Sequence, residues 1–139
     1  MTRSAAALPE SRKKHTLPKL VLKATPKKIL GDSGEVKAIT YLQEKGWSII
    51  DTNVQIKGGE LDIIATDPAT QELVFVEVKT RSQDYSGDPA EAVDTRKTAA
   101  FINAGINYAR NHHLDTDFRF DIIAITPDTI ERFENITFP

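Results

Sequence analysis

Residues 59–80, GELDIIATDPATQELVFVEVKT, predict the centre of the fold. The two ends of this segment, Glu60–Thr66 (ELDIIAT) and Leu73–Thr80 (LVFVEVKT), are short apolar runs rich in β-branched residues, which predicts two β-strands. The polar segment Asp67–Glu72 contains Pro68 and predicts the turn between them. Two strands joined by a short turn indicate an antiparallel pair.

A helix is predicted on the N-terminal side of this pair. Asp32 is a good N-cap, and Glu35 stands three residues later, as in a variant of the capping box. The helix should run to about Lys45, because Gly46 is a typical C-terminal stop.

The rest of the chain predicts a second helix and three more strands. Asp88 and Pro89 are a cap and a first helical residue, and the helix should continue to about His112. The other expected strands are Trp47–Asn53, Phe118–Thr126 and Ile130–Phe138. The order α-β-β-β-α-β-β predicts an α/β fold with a mixed five-stranded sheet flanked by two main helices. The first three strands can form a meander, and the long helix can cross over to the fourth.

Composition limits the class of protein. The chain has 139 residues, which is room for one domain with one core. It has no cysteine, so disulfide scaffolds, thiolate zinc sites and cysteine nucleophiles are excluded. No apolar run approaches the ~20 residues that span a bilayer. We therefore expect a cytoplasmic location and no membrane partner.

Charge divides the chain in two. Residues 1–31 hold eight Lys/Arg against one acid, net +7, and residues 32–139 hold ten against nineteen acids, net −9. Three prolines and many charges predict that residues 1–28 form a disordered basic arm, and residues 29–139 the folded domain. The arm either contacts nucleic acid phosphates or is a solvated tail, and charge alone leaves both open.

Charged residues interrupt both central strands. Strand alternation places Glu77 and Lys79 on one face with Leu73 and Phe75, and Glu60, Asp62 and Ile64 on one face of the preceding strand. Unpaired burial of these charges would be unfavourable, so something must compensate them. A divalent cation with oxygen ligands would do so. The structural alternative is an ion pair of Lys79 with Asp62 or Glu77 at an exposed sheet edge.

Five motifs in order resemble the YraN (UPF0102-type) family of small bacterial proteins. That family is similar to archaeal Holliday junction resolvases and belongs to the restriction-endonuclease-like PD-(D/E)xK superfamily, and the resemblance covers about residues 28–138. The motifs are G-D-S-G-E-x-x-A-x-x-Y-L, G-G-E-L-D-I-I-A, V-F-V-E-V-K-T-R, P-A-E-A-V-x-x-x-K and R-F-D-I-I-A-I.

The resemblance implies a set of site residues. Asp62 matches the metal-binding aspartate, Glu77 and Lys79 match the (D/E)xK half-motif, and the Val78 carbonyl is a further metal ligand in the family's geometry. Glu35 matches the helix glutamate that completes the site in resolvase-like members, although it can equally cap its own helix. Leu61, and not the superfamily's proline, precedes Asp62. The implied cofactor is Mg²⁺ or Mn²⁺.

Two further basic residues are candidates for substrate contacts. Arg81 lies just beyond the half-motif and is a plausible phosphate contact. Lys97 lies within the apolar stripe of the second helix, where it either faces a phosphate or carboxylate or snorkels to solvent.

The resemblance implies a metal-dependent endonuclease that hydrolyses DNA, on branched or otherwise structured substrates. Nucleic acid is the expected partner, with DNA favoured over RNA, and a homodimer is left open. The alternative is a catalytically silent nucleic-acid-binding or adaptor protein that keeps a nuclease fold.

Overall fold

Five strands lie side by side in chain order in a computed structural model that describes residues 33–81 and 95–137. β3 and β4 are parallel, and the other neighbouring strands are antiparallel. The predicted α-β-β-β-α-β-β order and mixed sheet are therefore confirmed, with a meander first and a helical crossover between the two parallel strands. The elements are α1 (Ser33–Glu44), β1 (Ser48–Ile56), β2 (Gly59–Thr66), β3 (Leu73–Thr80), α2 (Thr95–Asn111), β4 (Phe118–Ile125) and β5 (Ile130–Phe133).

Three parts of the chain with sequence predictions lie outside the described residues. These are the basic arm, residues 1–28, the predicted N-cap Asp32, and the start of the second helix at residues 88–91.

Helix α1 ends where the sequence predicts. Gly46 has a φ of 89°, which a glycine adopts without steric penalty. The N–H of Trp47 donates to the carbonyl of Leu42, and the N–H of Gly46 donates to that of Gln43, both over 3.0 Å. These bonds satisfy the last carbonyls of the helix and turn the chain into β1.

The sheet has an apolar core on each face, because side chains of β3 alternate between the two. Val74 and Val76 pack with Ala38 and Leu42 of α1, in what we call the α1-face core. The α2-face core contains these buried side chains: Ile50, Leu61, Ile64, Leu73, Phe75, Phe101, Ala104, Phe120, Ile122 and Ala124.

The β1–β2 hairpin is held against α2 at its turn. The Asn107 amide donates to the carbonyl of Lys57 over 2.7 Å. Gly58 has a φ of 104°, and a Cβ placed on it would lie 3.2 Å from that Asn107 amide nitrogen. The conformation therefore favours glycine here, and a larger residue would also press on the Asn107 amide.

Two strand ends differ from the sequence prediction by three or more residues, and the other differences are of one residue. β1 continues three residues beyond Asn53, to Ile56. β5 ends at Phe133 and not at Phe138, because Asn135 has a left-handed φ of 55° and breaks the ladder.

Candidate functional site

Strands β2 and β3 separate at one end of the sheet. Their ladder runs from the pair Thr66–Leu73 to the pair Ile63–Val76 and pairs no residue beyond it. β2 stays paired with β1 through this region, down to Gly59. The two strands thus diverge from Asp62 and Glu77 onward, and we call this opening the fork.

The side chain of Asp62 spans the fork. The backbone N–H of Val78 donates to Oδ2 of Asp62 over 2.9 Å. The backbone N–H groups of Leu73, at the start of β3, and Arg81, just after it, point toward β4: they donate to the carbonyls of Asp117 and Ile125. Backbone polar groups alternate along a strand, so the N–H of Val78 points toward β2, and its carbonyl points the same way. The carboxylate of Asp62 therefore stands where a β2 carbonyl would continue the ladder, and the Val78 carbonyl faces the fork.

Glu77 and Lys79 flank Val78 on the other face. Lys79 Nζ lies 2.6 Å from Glu77 Oε2, and their side chains are only 17% and 16% exposed. They continue the face of Leu73 and Phe75, as strand alternation predicts. The ion pair anticipated by the structural alternative thus exists, but it joins two residues of one strand and not two strands.

Strict alternation does not hold in β2 at Asp62. Leu61 and Ile64 both pack in the α2-face core, whereas Ile63 packs in the α1-face core. The predicted common face of Glu60, Asp62 and Ile64 assumes a regular strand, but the β1–β2 ladder leaves Asp62 unpaired between Leu61 and Ile63. This irregularity allows the Asp62 carboxylate to turn toward Val78.

Glu35 is buried on the other side of the sheet. It is 8% exposed and lies on the α1 stripe with Ala38 and Leu42. Within the described residues, no three side chains of His, Cys, Asp or Glu form a group that could hold a metal ion. The structure thus brings Asp62 next to Val78 and Glu77 next to Lys79, and Glu35 lies on α1.

The structure describes the side chain of only one of the two predicted substrate contacts. Arg81 follows β3 directly; its N–H donates to the carbonyl of Ile125 over 2.8 Å, and its guanidinium donates to that of Thr80 over 3.0 Å. Arg81 therefore lies at the same end of the sheet as the fork. The side chain of Lys97 lies outside the described part of the structure, so its orientation stays a prediction.

The atoms at the fork suit a hard divalent cation. Two carboxylates and one backbone carbonyl come from three positions, Asp62, Glu77 and Val78, two of them adjacent in sequence. Mg²⁺ typically takes one or two carboxylates and fills its other positions with water and substrate phosphate oxygens. The donor set thus fits the magnesium or manganese ion that the resemblance implies.

A second charged group, the Arg119 cluster, lies at the opposite end of β3. Arg119 is 4% exposed and pairs with Asp67 at 2.8 Å, Glu72 at 2.6 Å and Asp121 at 3.0 Å. Arg132 reaches the fully buried Asp121 from β5, at 2.9 Å. The cluster ties the turn before β3 to the start of β4 and to β5.

The pKa values follow from these contacts. Burial alone would raise the pKa of Asp67, but hydrogen bonds from the Arg119 side chain and the Ala69 amide bring it below its usual value. Burial opposes the charge of Arg119, yet hydrogen bonds to Asp121, Asp67 and Glu72 hold its pKa above the ordinary value. Both groups are held ionised, so the cluster is a structural tie.

Sequence reasoning found this cluster only in part. Asp121 pairs with Arg119, two residues away in the R-F-D motif, but nothing in the sequence analysis pointed to Asp67 and Arg132. Trp47 packs beside both guanidinium groups, with Cζ of Arg132 5.1 Å and Cζ of Arg119 5.7 Å from its ring centroid. Charged residues at both ends of R-F-D in an otherwise apolar strand were the available signal.

The arrangement defines a class: an α/β protein with a five-stranded mixed sheet and an oxygen-lined fork between its second and third strands. The chain belongs to the family described as uncharacterised protein family UPF0102, which matches residues 34–125. The resemblance to that family is thereby confirmed. Within residues 33–81 and 95–137, neither helix is long and apolar enough to cross a membrane.

Curated relatives agree with this membership. The UPF0102 protein of Geobacter metallireducens is 42% identical over 100 residues, covering 71% of this chain and 80% of that protein. The UPF0102 protein GSU0650 of Geobacter sulfurreducens is 46% identical over 114 residues, covering 79% and 87%. The UPF0102 protein of a Janthinobacterium species is 36% identical over 108 residues, covering 78% and 86%.

A solved structure described as "Crystal structure of SSO0001" aligns over 94% of this chain and 70% of that chain. The TM-score is 0.40 and the sequence identity 17%, too low for the alignment to carry an argument.

Proposed function

We propose that this protein is a metal-dependent endonuclease that hydrolyses DNA phosphodiester bonds, with branched or structured DNA as its substrate class. The observation that carries the proposal is the hydrogen bond from the Val78 amide to Asp62, at 2.9 Å. It holds one carboxylate beside a strand segment that bears a second carboxylate and an ammonium group. These are the groups that phosphodiester hydrolysis requires in one place.

The metal ligands in this proposal are Asp62, Glu77 and the carbonyl of Val78. A bound Mg²⁺ or Mn²⁺ would supply a nucleophilic hydroxide near neutral pH and neutralise charge on the phosphate. The protein's part would be to hold the ligands: the Val78 amide donates to Asp62, and the Lys79 ammonium pairs with Glu77.

Lys79 is the residue proposed to act on the substrate. Its ammonium is mostly shielded from water and would orient the attacking water and stabilise charge on the phosphate oxygens. Arg81 and Lys97 would add phosphate contacts beyond it. Glu35 would act from the α1 face, on the far side of the sheet from Lys79.

DNA is chosen on two grounds. The first is the family resemblance set out from the motifs. The second is the basic arm, whose eight cationic side chains contrast with a net charge of −9 in residues 32–139. An arm of this charge would gather phosphates that the acidic body repels.

The direct test is cleavage of labelled single-stranded, duplex, flap and four-way-junction DNA with Mg²⁺, Mn²⁺ or EDTA. We expect cleavage that EDTA abolishes and that disappears in Asp62→Ala and in Glu77→Ala. Exposed carboxylates away from the fork provide matched controls, Asp115→Ala and Glu44→Ala, which should cleave as the unmodified protein does.

Circular dichroism and thermal melts show whether each variant folds. Full activity in either fork variant, or turnover in the presence of EDTA, contradicts the proposal. Tight DNA binding without cleavage under every metal condition would favour the silent binding protein.

A further inference from the structure

Asn53 has an unusual backbone for a residue inside a strand. Its φ is 51°, in the left-handed region, although β1 continues on both sides of it. Three other described non-glycine residues have a positive φ, and each lies in a turn or after an element: Gln71, His113 and Asn135. Each of those three lies outside a strand or helix, whereas Asn53 lies inside β1.

The residue across from Asn53 is Asp62. The ladder of β1 and β2 pairs Thr52 with Ile63 and Val54 with Leu61, and pairs neither Asn53 nor Asp62 between them. The left-handed residue and the carboxylate at the fork thus occupy one interruption of the ladder.

The direction of Asp62 depends on this interruption. In a regular strand the side chains of Leu61 and Ile63 share a face, yet here Leu61 packs in the α2-face core and Ile63 in the α1-face core. The chain is therefore rotated at Asp62, and its carboxylate reaches sideways to the Val78 amide and not out of the sheet.

We propose that Asn53 is a positioning residue, whose left-handed conformation sets the direction of the Asp62 carboxylate at the fork. Asparagine tolerates this conformation better than most residues with a side chain, and glycine adopts it freely, whereas β-branched residues strongly disfavour it. A substitution that returns position 53 to extended geometry would restore a regular ladder and turn Asp62 away from Val78.

Amide hydrogen exchange of the metal-free, full-length protein is the test. The Val78 amide reports the Asp62 hydrogen bond, and Asp62→Ala gives the rate expected when that bond is lost. In Asn53→Val we expect Val78 exchange to accelerate about tenfold or more, toward that rate. The Val74 and Val76 amides, on the same edge of β3 but within the β2 ladder, should change much less.

Rescue separates positioning from general damage. Asn53→Gly keeps the left-handed conformation accessible and should leave Val78 exchange and Mn²⁺ affinity within about threefold of the unmodified protein. Asn53→Val should bind Mn²⁺ about tenfold more weakly by calorimetry. Gln71→Val makes the same kind of change at a left-handed residue far from the fork, and should leave Val78 exchange unaltered.

Two outcomes overturn the inference: Val78 protection unchanged in a folded Asn53→Val protein, or Asn53→Gly as impaired as Asn53→Val. If Asn53→Val does not fold, Asn53→Ala replaces it, since alanine also disfavours the left-handed region. The inference rests on the proposed function only for the task given to Asp62. If Val78 exchange accelerates in Asn53→Val as expected but the unmodified protein does not cleave DNA, only the proposed function is refuted. If the unmodified protein cleaves DNA but Val78 exchange does not change in Asn53→Val, only the positioning role is refuted.

Discussion

The ammonium of Lys79 lies 2.6 Å from a carboxylate oxygen of Glu77, two residues earlier on the same face of β3. One proposed metal ligand is therefore already neutralised by a cation of the protein. A metal ion at this site would compete with the Lys79 ammonium for the Glu77 carboxylate. The two cations would also repel each other at this separation.

Lys79→Met should separate metal binding from turnover. We expect the variant to bind Mn²⁺ as tightly as the unmodified protein, or up to about tenfold more tightly, because the competing cation is gone. Its single-turnover cleavage should fall about a hundredfold or more, since the ammonium no longer orients water and phosphate. Calorimetric titration and single-turnover kinetics measure the two quantities, with the exposed Lys57→Met as control. Much weaker metal binding, with the lost rate following from it, would contradict the role of Lys79.

Deletion of residues 2–27 should change affinity and not chemistry. The deleted segment carries seven of the eight cationic side chains of the arm, so binding should weaken more at low salt than at high salt. The logarithmic salt slope should flatten by a few units, at about 0.9 per lost phosphate contact. Binding across a salt series, with saturating single-turnover cleavage alongside, tests this. If the full-length and truncated proteins have the same salt slope, the arm is a passive tail. If the truncated protein binds DNA tightly but does not cleave it, the arm belongs to the active site.

Arg119→Met should be strongly destabilising. The substitution leaves Asp121, which is fully buried, and Asp67 with fewer compensating charges. Removal of one partner from a buried ion pair costs about 3–5 kcal/mol. Urea unfolding measures the loss, with Arg110→Met on the exposed side of α2 as control. A loss no greater than that of the control would show that the cluster contributes nothing net.

Asp67 predicts a pH dependence of stability. Its pKa in the folded protein is below the ordinary value of ~3.9, so its contribution is fully present above about pH 4. At lower pH the unfolded chain takes up the proton first, and the free energy of unfolding falls as the pH falls through the folded pKa. The stability difference between the unmodified protein and Asp67→Asn should therefore shrink in acid. A difference that is constant with pH contradicts this assignment.

Gly105→Ala should destabilise the protein although alanine favours helix. A Cβ on Gly105 would overlap the ring of Phe120 and press on that of Phe75, both in the α2-face core. The helix propensity gain of roughly 1 kcal/mol is then outweighed by overpacking of about 1–3 kcal/mol. Thermal melts test this, with the exposed Asn103→Ala in the same helix as control. A raised melting temperature for Gly105→Ala would show that the two rings can move aside.

Local pattern was sufficient for the central elements and insufficient where one residue breaks the pattern. β3 was predicted at its observed ends, because LVFVEVKT is apolar, β-branched and bounded by polar segments. The sequence prediction ends β1 at Asn53, but the strand runs on through this residue to Ile56. The rotation at Asp62 follows from that residue, so strict alternation could not show it.

In the site and in the Arg119 cluster, contacts between near neighbours in sequence could be predicted and long-range contacts could not. Glu77 and Lys79 are neighbours in one strand, so their common face could be predicted from sequence spacing. The approach of Asp62 to Val78 needs the strands to separate, which depends on tertiary contacts. The partners of Arg119 come from a turn, β4 and β5, and long-range pairing of this kind has no local signature.

The parallel pairing of β3 with β4 also fixes an order of events during synthesis. The β1–β2 hairpin and β3 leave the ribosome first, but β4 follows only after the whole crossover helix. Until then the β4-facing edge of Leu73–Val76 is unpaired, and such an edge can pair with strands of other chains. We therefore expect slow translation of residues 81–117 to lower the soluble yield, because it lengthens the interval in which this edge is open.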